Sequence, residues 1–130
     1  MLGATLLMYN LDGPAGAALK VLCRKTRVQW KEVPPEDYAR PLGALVGLPA
    51  PAAEAPAAPA VSFSEPMLVM TGLLRPQFDA LLQGMRQQGI RVPLKAVLTP
   101  TNVTWTSLQL HDELVREHEA VTRGRQGDQN

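Results

Sequence analysis

Between Pro49 and Ala60 the chain reads Pro-Ala-Pro-Ala-Ala-Glu-Ala-Pro-Ala-Ala-Pro-Ala. Each proline lacks an amide donor and clashes with the preceding turn, so no regular helix runs through it. The alanine side chains bury too little area to offset the cost of ordering them. The stretch therefore reads as an exposed, semi-extended linker, and any core has to be assembled from the segments on either side. The chain has 130 residues, 45% of them hydrophobic, which suits one domain. That domain is expected to span 1–122, interrupted by the linker at 49–60 and followed by a polar, disordered tail at 123–130.

Before the linker, Thr5 to Tyr9 is short and mostly apolar and reads as a buried strand. Asp12 is placed to cap a helix that opens on Pro14. Ala15, Ala18, Leu19 and Leu22 then recur at helical spacing. Arg27 to Val33 alternates and stops at Pro34-Pro35, a second strand. Residues 36–48 hold a short turn or lid, broken by Pro41, Gly43 and Gly47.

After the linker, Pro66 to Gly72 reads as a strand. Phe78, Leu81, Leu82 and Met85 mark one face of a helix that starts near Arg75-Pro76 and is closed by Gly89. Val92 to Thr99 is a further strand, with Pro93 suiting an edge. A last helix runs from about Trp105 to Ala120, with Leu110, Leu114 and Val121 on one stripe and Leu108 and Val115 widening it. The order strand-helix-strand, linker, strand-helix-strand, helix predicts an α+β fold. The specific expectation is a ferredoxin-like split β-α-β sandwich, mostly antiparallel, with an extra C-terminal helix. A small parallel three-layer sheet is the competing arrangement; Pro93 and the lack of further helical crossovers argue against it.

Thirteen basic and twelve acidic residues give a formal net charge of +1. So even a balance gives no strong long-range field and argues against a nucleic-acid binder. No apolar run is long enough to span a bilayer. The apolar start has no basic stretch before it and reads as a strand, not a signal peptide. Cys23 is the single cysteine, which excludes an intrachain disulfide and suits a cytoplasmic setting.

Several stretches resemble an uncharacterised bacterial family, the domain of unknown function numbered 3783. They are Leu7-Met8-Tyr9-Asn10, Leu42 to Gly47, Met67 to Met70 and Lys95 to Asn102, the last followed by Trp105 and by Leu110-x-x-Glu113-Leu114-x-x-Glu117-His118. The likeness extends over nearly all of the chain outside the Ala/Pro insert and the tail. It implies no activity, ligand or catalytic residue.

Lys95, Thr99, Thr101 and Asn102 form the one ligand-binding candidate. Amides at a helix start could hold an anion or phosphate there with Lys95 assisting. The same residues also suffice as caps for the last helix, with Thr101, Asn102 or Thr104 accepting from its amides and Trp105 packing on the sheet. No glycine-rich cradle accompanies them. Asp12 has no spaced carboxylate partner. His111, Glu113, Glu117 and His118 lack zinc-ligand spacing and read as a solvated face. Cys23 sits among apolar residues and reads as packed. Lys20, Arg24, Lys25, Arg27 and Lys31 make a basic patch without interleaved aromatics. No catalytic residue, metal or cofactor is expected. The leading reading is a protein-interaction or regulatory module; Leu42, Leu45 and Val46 of segment 38–46 either form its docking surface or cover the sheet, and Leu108 and Val115 either form a weak homodimer contact or lie under residues 36–48 in a monomer. The rival is a small-ligand binder or enzyme using 95–102.

Overall fold

The structure of the protein, a computed structural model, describes residues 3–47 and 63–128, with side chains as far as Ala120. The Ala/Pro stretch at 49–60 lies outside the described residues. The expected disorder of 123–130 falls on residues whose side chains are likewise outside them; the helical backbone reaches Asp128. The elements run β1 (Thr5–Tyr9), α1 (Pro14–Thr26), β2 (Gln29–Glu32), a 3-10 turn (Pro35–Asp37), α2 (Leu42–Leu45), β3 (Met67–Thr71), α3 (Arg75–Gln87), β4 (Leu94–Val97) and α4 (Ser107–Asp128).

The fold is mixed α+β with a four-stranded sheet and four helices, in the order β2-β1-β3-β4. β1 pairs parallel with β2, β3 parallel with β4, and the two pairs meet through antiparallel β1 and β3. The expected ferredoxin-like pairing is thereby corrected. A split β-α-β unit sets another strand between its parallel strands, whereas here each helix joins direct neighbours. The physical reason lies in β1 and β3, whose ten residues are all buried. A sandwich with one open face would expose Leu7, Tyr9 and Val69. These strands need cover on both sides, which makes three layers. The more polar β2 and β4 take the edges.

One face of the sheet is covered by α1 and α3. Leu6, Met8, Leu68 and Met70 pack there against Leu19, Leu22, Cys23, Leu81 and Met85. The other face is covered by irregular chain. Leu7, Tyr9, Met67 and Val69 pack against Tyr38, Leu42, Leu45, Val46, Phe63 and Leu110. Segment 36–47 is thus a lid over the sheet, and Leu42 and Leu45 are core rather than docking surface. The lid is stitched to the chain before α4: Leu42 N–H donates to the Trp105 carbonyl (2.8 Å) and Gly43 N–H to that of Val103 (2.9 Å). Leu108 and Val115 pack partly buried on this same cluster, so they make no separate stripe.

The two β-α-β units are similar in sequence and backbone, with β4 set three residues further on than β2. Leu6, Met8, Leu11, Pro14, Ala18, Leu19 and Arg24 each recur sixty-two positions later, as Leu68, Met70, Leu73, Pro76, Ala80, Leu81 and Arg86. The backbone repeats too. Asn10 and Gly72 have φ of 58° and 67°, and Arg27 and Gly89 have φ of 61° and 70°. After each helix the same bond closes the turn: Val28 N–H to the Cys23 carbonyl and Ile90 N–H to that of Met85, both 2.8 Å. An approximate two-fold axis normal to the sheet relates the units, passing between the paired residues Leu7 and Val69. It also passes between Leu22 and Gly84, where the helices cross. A Cβ on Gly84 would stand 2.6 Å from Leu22 Cδ2, so the second copy cannot keep a leucine at this point.

Candidate functional site: the groove along α4

β4 ends at Val97, and the chain reverses from Pro100 before α4. The reversal is built by a reciprocal pair: Thr99 N–H donates to Asn102 Oδ1 (2.8 Å) and Asn102 N–H to Thr99 Oγ1 (3.2 Å). Asn102 Nδ2 also donates to the Val97 carbonyl (3.1 Å). The helix start is capped further on than expected. Gln109 N–H donates to Thr106 Oγ1 (3.2 Å) and Thr106 N–H to Gln109 Oε1 (2.9 Å), a capping box around Thr106 in place of Thr101, Asn102 or Thr104. Upstream, Asp12 does not cap α1, whose N-cap is Gly13 with no side-chain bond. Asn10 is the polar residue put to use there: its Nδ2 donates to the carbonyls of Phe63 (2.8 Å) and Glu65 (3.1 Å).

Trp105 stands at the lip of two hollows, half-buried and not the core residue expected. One, of about 290 Å³, is lined by Thr99, Thr101, Asn102, Leu110, Glu113 and Glu117 among others. The second, of about 260 Å³, is lined by Gln109, Asp112, Glu113 and Arg116. Trp105 and Glu113 belong to both.

Lys95, Thr99, Thr101 and Asn102 do border one hollow, as their sequence proximity implied. Their chemistry does not converge. Leu94 and Ala96 pack on the α4 side of β4, so strand alternation turns Lys95 toward α3. There it borders a hollow with Leu82, Met85, Arg86 and Ile90, and its Nζ donates to the Val92 carbonyl (2.7 Å). Thr99 and Asn102 satisfy one another. Glu113 and Glu117 face the same space, and carboxylates there oppose an anion.

Beneath the groove lies a cluster that sequence reading missed. Tyr38 stacks on Phe63 with centroids 4.6 Å apart, and Phe63 on His111 at 3.9 Å. Tyr9 joins at 5.6 Å from Tyr38, and its hydroxyl shares a 2.7 Å hydrogen bond with Ser107 Oγ. Burial holds the Tyr9 phenol well above its ordinary pKa, with the Ser107 bond working the other way. Burial raises Tyr38 too, opposed by a bond from Asn10. His111 Nε2 is shut from solvent and faces Glu65 Oε1 at 3.2 Å, an ion-pair distance without hydrogen-bond alignment. Only the alternation of Tyr9 with Leu7 hinted at this cluster; the partners come from four separate segments.

Among the described residues, no group of three His, Cys, Asp or Glu side chains could hold a metal ion. Cys23 is fully buried, and burial pushes its thiol up to about 11, so the reactive thiolate is suppressed.

The near-zero net charge conceals a polarity. Segments 10–28 and 72–95, the α1/α3 side, carry Lys20, Arg24, Lys25, Arg27, Arg75, Arg86, Arg91 and Lys95 against Asp12 and Asp79. Glu32 of β2 belongs to this side as well, its carboxylate pairing with Lys20 of α1. The rest of the chain with described side chains carries Lys31, Arg40 and Arg116 against Glu36, Asp37, Glu65, Asp112, Glu113, Glu117 and Glu119.

Fold and site together define a small three-layer α+β domain, built on two similar β-α-β units, with hollows along its last helix. Residues 66–121 match DUF3783, a domain of unknown function and an uncharacterised bacterial family. The match runs from the start of β3 into α4, so it takes in the second copy and the groove, while Leu7 to Asn10 and Leu42 to Gly47 lie outside it. No curated protein and no solved structure matches the chain. Among the described residues, no helix is long and apolar enough to cross a membrane.

Proposed function

We propose that this domain is a non-catalytic interaction module that receives a partner polypeptide along α4, with Trp105 as the anchor. The observation that carries the reading is the half-buried indole between two hollows. Tryptophan is enriched among the few residues that dominate protein interfaces, because it offers a large rigid surface with a polar edge. Asp112, Glu113 and Glu117 beside it favour a partner segment with basic residues around an apolar one. The buried, unpaired Cys23 supports a cytoplasmic setting.

The test is photo-crosslinking from Gln109 in the full chain, with the site of attachment mapped on whatever is captured. A partner captured by the native chain should be lost with Trp105→Ala and weakened by Glu113→Lys. It should persist with Arg86→Ala, on the opposite layer. Capture indifferent to Trp105 overturns the reading. Crosslinks to a second copy would make the occupant the chain itself. A saturable thermal shift with inorganic phosphate, lost in Lys95→Ala, would move the site to the rival ligand reading.

A further inference from the structure

We propose that the α1/α3 layer is a binding face for the phosphate backbone of a nucleic-acid duplex. The inference rests on charge and symmetry together. Balanced composition argued against such a partner, but composition averages over faces, and the two layers of this molecule carry opposite charge. On the helix side, Lys25, Arg27, Arg86 and Arg91 are exposed and none is ion-paired among the described residues. Lys20 and Arg75 have carboxylate partners at the surface, at 2.7 and 3.4 Å, pairs that solvent keeps weak.

One arginine pair on this layer is two-fold. Arg24 and Arg86 occupy equivalent positions in the two copies and project from opposite flanks of the helix pair. Arg24 lies over the Trp30 ring of β2, 5.5 Å from its centroid, while Arg86 borders the hollow with Lys95 of β4. Two helices packed side by side hold these flanks about 20 Å apart. Between them the exposed positions Ala17, Val21, Ala80 and Gln83 are short or uncharged, and the carboxylate there, Asp79, pairs with Arg75 at 3.4 Å. A positive face carrying a dyad-related arginine pair matches a duplex, whose strands are themselves related by dyads. Trp30 is already covered by Arg24, so no free aromatic platform favours splayed bases. Contacts to phosphates alone imply binding without sequence preference and with strong salt dependence.

The test is fluorescence anisotropy of the full chain with labelled 20-base-pair duplexes of DNA and of RNA and with the matching single strands, from 50 to 200 mM NaCl. Duplex binding in the micromolar range at low salt is expected, with log K falling linearly against log salt, by roughly 0.9 for each phosphate contacted. Arg24→Gln and Arg86→Gln should each weaken binding several-fold and reduce that slope by about one. Glu113→Gln, on the opposite layer, should leave it unchanged. Circular dichroism shows whether each variant is folded, and Lys25→Gln provides a further variant away from Trp30. Absence of duplex binding at 50 mM salt overturns the proposal, as does equal binding to single strands. Salt-sensitive self-association abolished by Glu113→Lys would assign the basic face to the acidic layer of a second copy and overturn it too. A preference between DNA and RNA duplexes identifies the source of the phosphates.

Discussion

The two layers that cover the sheet solve the same packing problem by opposite means. On the α1/α3 side, two similar units meet across an axis, and the fully buried side chains are aliphatic or thioether apart from Cys23, with Trp30 and Phe78 at the margin. On the α2/α4 side, a four-residue helix, a 3-10 turn and the first half of α4 converge, and the core contains tyrosine hydroxyls, Ser107 and an imidazole. The repeated layer is regular and basic outside; the irregular one is hollowed and acidic. A duplicated unit supplies its own complementary surface. The other face has no second copy to meet and is filled from loops, where openings for a partner arise.

The largest effect should come from breaking the repeated layer at its closest approach. A Cβ on Gly16 would collide with the Leu11 carbonyl oxygen, and backbone cannot yield as a side chain can. Gly16→Ala should cost about 3 kcal/mol or more in urea unfolding, comparable to Leu81→Ala at about 3–4 kcal/mol. Gly84→Ala meets only the flexible end of Leu22 and should cost far less, although both glycines lie in helices.

In the irregular layer the losses should be smaller. Trp105→Ala removes a half-buried ring and should cost about 2 kcal/mol, short of the 3–5 typical of a fully buried aromatic. Tyr9→Phe strands Ser107 Oγ in the core and should cost about 1–2 kcal/mol. Tyr9→Phe with Ser107→Ala should cost less than the two single losses added together.

How much of this was legible follows from range. Strand β1 and helix α3 are visible because apolar spacing is a local property; Thr5–Tyr9 falls where the sequence put it, and α3 closes at Gly89 as read. The pairing was not, because which strand lies beside which depends on covering both faces of β1 and β3. The repeat was on the page as the recurrence from Leu6/Leu68 to Arg24/Arg86, but most other positions differ, and at Gly84 and Gly16 close approach keeps out the leucine and phenylalanine of the other unit. At the groove, proximity in sequence already brings Lys95, Thr99, Thr101 and Asn102 to one hollow. That Lys95 also borders α3 and that Thr99 and Asn102 bond each other depends on strand alternation and on the turn.

Titration sharpens the contrast from another side. The folded chain holds the Cys23 proton up to about 11 against an ordinary 9.0, and the Tyr9 proton beyond its ordinary 10.0. Above pH 9 the unfolded chain then binds fewer protons than the folded one, so stability falls as pH rises. Urea midpoints should be steady near pH 8 and drop between about pH 9 and 11. Cys23→Ala should soften the first part of the drop and Tyr9→Phe the later part. The smallest effect belongs to the surface: Arg24→Gln gives up the contact over Trp30 and should cost about 0.5–1 kcal/mol.

The central claim, that a self-complementary scaffold carries an assembled and looser functional layer, is tested most directly by native-state hydrogen exchange across a urea series. Local opening should separate the two layers by free energy. The amides of Val28 and Ile90, which close the two copies of the helix turn, should exchange only through the highest-energy opening. Those of Leu42 and Gly43, which stitch the lid to the chain before α4, should exchange through an opening at least 1–2 kcal/mol lower. One shared opening energy for both groups, or earlier exchange at Val28 and Ile90, would contradict the account.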